Sequence, residues 1–134
     1  MKIENIKFKA KRLDGKGWIC GYFYEENGNT YIIENRQKES KLNRNLTYQV
    51  DPSTVCQFTG LKDKNGVEVW EHDLLTKDYS VIYEVGYEGC GFKASIKGED
   101  ELDLNLVAVC KYYCICGNKF DRKEGEKNDE EKNI

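Results

Sequence analysis

The sequence has little histidine, proline or methionine (one residue of each), and its longest uninterrupted apolar stretches are five residues, such as 106–110. A transmembrane helix needs about 20 apolar residues, and a secretory signal an apolar run of about 7–15. Neither is present, so a soluble protein that stays in the cytoplasm is expected, with no membrane partner. One histidine excludes any site built on two imidazoles, HExxH zinc enzymes and Cys2His2 fingers among them. Net charge is also scarce. Twenty-four acidic and 21 basic residues leave −3, which offers no global attraction to nucleic acid or an anionic surface. The six cysteines form an even set. In a reducing cytoplasm they are expected as thiols rather than disulfides.

Aromatic and β-branched residues in short runs are abundant, which is the composition of a pleated, half-buried surface. Residues 18–24 and 30–34 read as a hairpin around Asn27-Gly28, a pair suited to the positive φ angles of a tight reversal. A second hairpin joins residues 55–59 to 67–70 through a turn at 62–66 that contains Asn65-Gly66. A third joins 80–87 to 92–96. Asp51-Pro52 predicts a capped single turn, with aspartate as N-cap and proline at the first helical position. Residues 35–49 and 97–103 read as polar loops.

Residues 104–115 are apolar on both parities and are read as a central strand. A helix is the rival, because Leu102, Leu106 and Val109 fit helical spacing. Ten charges in the last 14 residues predict a disordered or solvated helical tail. With no internal repeat or linker, the division is a β domain over 1–120 and a charged tail over 121–134. The fold class is mainly β, with small antiparallel barrels expected from closely spaced turns.

One stretch carries a recognisable motif. From Val50 the chain runs V-D-P-S-T-V-C-Q-F-T-G-L-K-D-K-N-G-V-E-V-W-E-H-D-L-L. It resembles the signature of the YopX family of small bacteriophage and prophage proteins, roughly V-x-P-E-T-V-G-Q-[YF]-T-G-L-K-D-K-N-G-x-E-I-[YFW]-E-G-D-[IL]-[VL]. The likeness extends to Ile6-Lys7-Phe8-Lys9-Ala10, to Gly21-Tyr22 and to Gly117-Asn118-Lys119-Phe120-Asp121. It implies a mostly β fold with an SH3-like or partly open barrel, and no specific activity. Cys56 and His72 stand where the family has glycine, so no shared function depends on them as chemical groups.

Each candidate for chemistry has a plainer alternative. Cys110, Cys114 and Cys116, with Cys90 upstream, suggest zinc. On one extended strand, however, Cys110 and Cys116 would be roughly 20 Å apart at about 3.3 Å per residue. Cysteines packed as small hydrophobes are preferred, and no cofactor or metal is expected. His72 lies between Glu71 and Asp73, but strand alternation would aim it away from both. The tyrosine-rich segment with Trp18, Tyr22, Tyr24 and Tyr31 suggests a base-stacking platform. It carries Glu25, Glu26 and Glu34 where a cationic groove would be needed, which argues against nucleic acid.

The preferred reading is a non-catalytic binding module for a host or phage macromolecule, with the exposed 62–70 hairpin as its contact element. The candidate contact residues are Thr59, Lys62, Lys64, Asn65, Trp70 and His72. The alternatives are a homo-oligomer that sequesters an anionic small molecule such as a nucleotide signal, and a hydrolase or nuclease. Neither clustered acids nor paired histidines support the last.

Overall fold

The computed structural model describes residues 2–34, 46–96 and 104–121. The expected loops at 35–45 and 97–103, and the tail beyond Asp121, lie outside those residues. Two compact units divide the chain, Met1–Gly60 and Leu61–Ile134.

In the first unit a 3-10 turn at Ile3–Asn5 leads into strands β1 (Phe8–Lys11), β2 (Trp18–Glu26), β3 (Asn29–Ile33) and β4 (Thr47–Val50). A second 3-10 turn, Pro52–Thr54, precedes β5 (Cys56–Lys62), which runs past the boundary between the units. The strand order is β4-β3-β2-β1-β5, antiparallel throughout. A single bridge between Arg12 and Val50 curls the sheet back toward itself without closing it. The expected barrel is therefore a partly open, curled sheet.

Asn27 (φ +53°) and Gly28 (φ +82°) form the turn between β2 and β3, as their sequence requires. The Asp51 side chain accepts a hydrogen bond from the Ser53 N–H at 3.0 Å, capping the Pro52–Thr54 turn. Residues 47–49, expected in a loop, are part of β4. Alternation there turns Tyr48 and Val50 inward against Ala10, Ile19 and Ile32, and that burial offsets a weak local strand signal.

Strand β2 pairs with β1 through Trp18–Gly21 and with β3 through Tyr22–Glu26. Gly21 marks the handover. A β-carbon there would overlap the Ile33 carbonyl oxygen and lie 2.8 Å from the carbonyl carbon. Only glycine lets the two backbones approach so closely.

The second unit continues with β6 (Glu68–Trp70), β7 (Asp73–Thr76), β8 (Ile82–Glu88), β9 (Gly91–Ile96), β10 (Leu104–Asn105), helix α1 (Leu106–Tyr112) and β11 (Cys114–Asn118). Its five-stranded antiparallel sheet has the order β10-β9-β8-β7-β11. Val69, Leu75, Val85, Ala94, Leu106, Val109 and Cys110 form its core.

The strand expected over 104–115 is corrected to a helix over most of its length. The Asn105 side chain accepts from the N–H groups of Val107 (2.9 Å) and Ala108 (3.4 Å), an N-cap that overrides β-branched content. Leu106, Val109 and Cys110 at i, i+3 and i+4 face the core, while Val107 and Tyr112 are exposed. Among the described residues no helix is long and apolar enough to cross a membrane.

Candidate functional site

The hairpin between β5 and β6 is built around a buried carboxylate. Asp63, 7% exposed, accepts through Oδ1 from the N–H groups of Asn65 (2.8 Å) and Val67 (2.9 Å). Its Oδ2 accepts from the Ile115 N–H at 2.9 Å. The Lys64 N–H donates to the Tyr113 carbonyl at 3.1 Å, and Asn65 Nδ2 donates to Cys114 Sγ at 3.1 Å. The turn is thus bonded to the segment that joins α1 to β11.

Asp73 does the equivalent work ten residues later. Its Oδ2 accepts from the Trp70 N–H (2.7 Å) and its Oδ1 from Asn118 Nδ2 (2.9 Å), while Asn118 Oδ1 accepts from the Phe120 N–H (2.9 Å). A buried carboxylate persists only with such partners, because its desolvation is costly. The K-D-K-N-G and E-x-D letters of the motif therefore specify two carboxylate-organised turns.

This geometry separates the expected contact residues. Lys62 and Lys64 have exposed side chains, and Asn65 is engaged with Cys114. Trp70, expected as a contact neighbour of the lysines, is corrected to a buried residue, because β6 is covered on both faces and the alternating Val69 and Trp70 are both buried. Thr59 is half-buried and belongs to the first unit.

His72 is in a turn with φ +71°, so strand alternation does not apply to it. A left-handed backbone there accounts for the glycine that the YopX motif carries at this position. Of the two neighbouring carboxylates expected to stay away, Glu71 approaches and Asp73 is directed elsewhere, while Glu84 approaches from another strand. Nε2 lies 3.5 Å from Glu71 Oε2, and Nδ1 lies 3.6 Å from Glu84 Oε2 on β8. Nδ1 is buried without a hydrogen bond, and the ring packs edge-on to Phe120 at 5.0 Å.

All six cysteines are thiols outside any disulfide. Cys110 is on α1 rather than a strand, which removes the basis of the 20 Å estimate. Among the described residues, no three His, Cys, Asp or Glu side chains are grouped to hold a metal. Burial first, then the charges of Asp63 and Asp73, push the Cys110 thiol up to about 11. It stays protonated at neutral pH. Cys56 is also buried, its thiol donating to the Thr54 carbonyl at 3.2 Å. Cys20 and Cys90 are exposed. Iodoacetamide is expected to label Cys20 and Cys90 at least about 100-fold faster than Cys56 and Cys110, which react only through opening of the fold. Peptide mapping over time measures the four rates.

The outer face of the first sheet holds an arrangement that local sequence reading missed. Pairing places Lys9 opposite Cys20 and Lys11 opposite Trp18. The Lys9 and Lys11 ammonium groups lie 4.7 Å and 5.6 Å from the Trp18 ring centre, and Lys7 lies 4.7 Å from that of Phe58. Farther along the same face of β2, Tyr22 is 39% exposed. Tyr24 stacks on Tyr31 with centres 5.1 Å apart and planes 20° apart. Glu25 alternates to the opposite face, beside Thr30. The available signal was the strict alternation Lys7-Phe8-Lys9-Ala10-Lys11, a strand with one cationic face.

In the second unit, an open groove of about 290 Å³ is lined by Tyr79, Ser80, Val81, Ile82 and Ile96, with no cationic group among them.

No curated protein matches this sequence. A family model described as YopX protein matches residues 4–124, nearly the whole chain and including both carboxylate-organised turns. The chain belongs to the YopX protein family.

Proposed function

We propose that this YopX protein is a non-catalytic binding module that acts in a reducing host cytoplasm on a macromolecule of the host or the phage, and that its contact surface is the outer face of β1, β2 and β3. The cation–aromatic arrangement on that face carries the reading. Lys9 and Lys11 lie against Trp18, and Tyr22 is exposed farther along the same face of β2, so charge and ring surface share one side of the sheet. The chemistry-bearing residues of the motif add support. Asp63 and Asp73 spend their oxygens on backbone and side-chain donors, and the Cys110 thiol stays protonated. The six uncrosslinked thiols suit a reducing compartment. In the hairpin the expected cations Lys62 and Lys64 are exposed, but the ring expected beside them, Trp70, is buried. Among the described residues that line the groove at Tyr79 there is no counter-charge for an anionic small molecule.

Pull-down from infected-cell lysate with the tagged full chain tests the assignment. Changing Lys9 and Tyr22 together to alanine is expected to abolish partner recovery, while Lys62→Ala with Lys64→Ala leaves it unchanged. Recovery that follows the hairpin pair instead would overturn the choice of face. Circular dichroism confirms that each variant is folded.

A further inference from the structure

We infer that the outer face of β1–β3 binds single-stranded nucleic acid, an inference that rests on the assignment of that face as the contact surface. Three observations converge.

The first is the pairing of cations with rings. Nonspecific single-strand binding combines a cationic track for phosphates with aromatic platforms for unstacked bases. Lys9 and Lys11 supply the track, and Tyr22 with the stacked Tyr24–Tyr31 pair supplies the platforms, on the same side of one sheet.

The second is charge distribution. Residues 1–60 contain ten basic and seven acidic side chains, a net of +3, whereas residues 61–134 contain 11 basic and 17 acidic, a net of −6. The +3 lies entirely in residues 35–45, with four basic and one acidic side chain, and the remainder of residues 1–60 carries six of each, so the positive charge on the face itself is that of Lys9 and Lys11, which share one side of β1.

The third is the direction of the carboxylates. Glu25, which in the linear sequence sits among the tyrosines, alternates away from the face. Glu26 shares the parity of Tyr24 but lies at the end of β2, next to the turn.

Single strands are favoured over duplex because sheet-surface rings can stack only on bases that are already unstacked. They are favoured over an acidic protein because such a partner would use the lysines and leave the tyrosine rings without a function.

Fluorescence anisotropy of the full chain with a labelled oligothymidylate, an oligouridylate and a duplex of equal length tests the inference at about 50 mM and about 200 mM salt. Saturable binding to single strands, weaker for duplex and weaker in high salt, is expected, and the thymidylate and uridylate arms separate DNA from RNA. Tyr22→Ala or Tyr31→Ala should each weaken binding about tenfold. Changing Lys9 and Lys11 together to alanine should reduce the slope of log K against log salt by about 1.4, from about 0.7 per phosphate contact. Arginine at both positions should restore it. Three results would overturn the inference: no single-strand binding at the lower salt, binding indifferent to these four positions, or equal binding to polyglutamate. If it falls while the Lys9 and Tyr22 variant still loses its partner from nuclease-treated lysate, the contact face stands and the ligand is a protein.

Discussion

Replacing Gly21 with alanine is expected to destabilise the first unit by about 3 kcal/mol or more, the upper end for overpacking against well-ordered neighbours. The added β-carbon meets backbone, the carbonyl of Ile33, rather than a side chain that could rotate away. Ile33 is itself paired with Tyr22, and its neighbour Ile32 is fully buried against Ala10, Ile19 and Val50. Relief therefore requires β3 to move away from β2, which opens the core. Gly86→Ala is the matched control. That glycine is also in a strand, and nothing lies within 4 Å of its would-be β-carbon. Its stability is expected to change by no more than about 0.5 kcal/mol. Urea denaturation followed by circular dichroism compares the two, and equal midpoints would contradict the close approach at Gly21.

Asp63→Ala is the second large effect, with an expected loss of about 3–4 kcal/mol in the second unit. The change strands three backbone N–H groups, those of Asn65, Val67 and Ile115, and releases the turn from the start of β11. Asp63→Asn should cost less, because its amide oxygen still accepts while its NH2 faces a donor. The released turn has a local readout. Cys110, in the last turn of α1 and near enough to Asp63 to feel its charge, is protected by burial, so its iodoacetamide labelling should accelerate in Asp63→Ala before global unfolding. An alanine variant with unchanged urea midpoint and unchanged labelling would show that the carboxylate does not organise the turn.

These two residues illustrate what could be read in the chain. The hairpins were legible because Asn27-Gly28 and Asn65-Gly66 specify reversals through local backbone chemistry alone, and Asp51-Pro52 does the same for a single turn. Membership of the YopX family was legible because its motif is dense and local. The helix Leu106–Tyr112 was misread. The side chain immediately ahead of it, Asn105, caps its first turn, and that signal weighs more than the valines that follow. The roles of Asp63 and Asp73 were hidden, because a charged residue in a turn ordinarily faces water, and only tertiary pairing with Ile115 and Asn118 buries these two. The cation–aromatic face was hidden for a related reason. Its lysines and its tryptophan are on different strands, and the β1–β2 register unites them.

Strand pairing also sorts the acids that neighbour the tyrosines in sequence. Alternation removes Glu25 from their face, whereas Glu26 keeps the parity of Tyr24 at the end of β2. Charge on a sheet is organised by parity and pairing rather than by linear proximity.

The most direct test of a contact face on β1–β3 is a two-dimensional amide NMR titration of the isotope-labelled full chain with oligothymidylate. The account predicts progressive shifts confined to Lys9, Lys11, Trp18, Tyr22, Tyr24, Tyr31 and their strand neighbours, with the hairpin around Lys62 and Lys64 unmoved. Shifts centred on that hairpin, or none on the sheet face at saturating oligonucleotide, would contradict it.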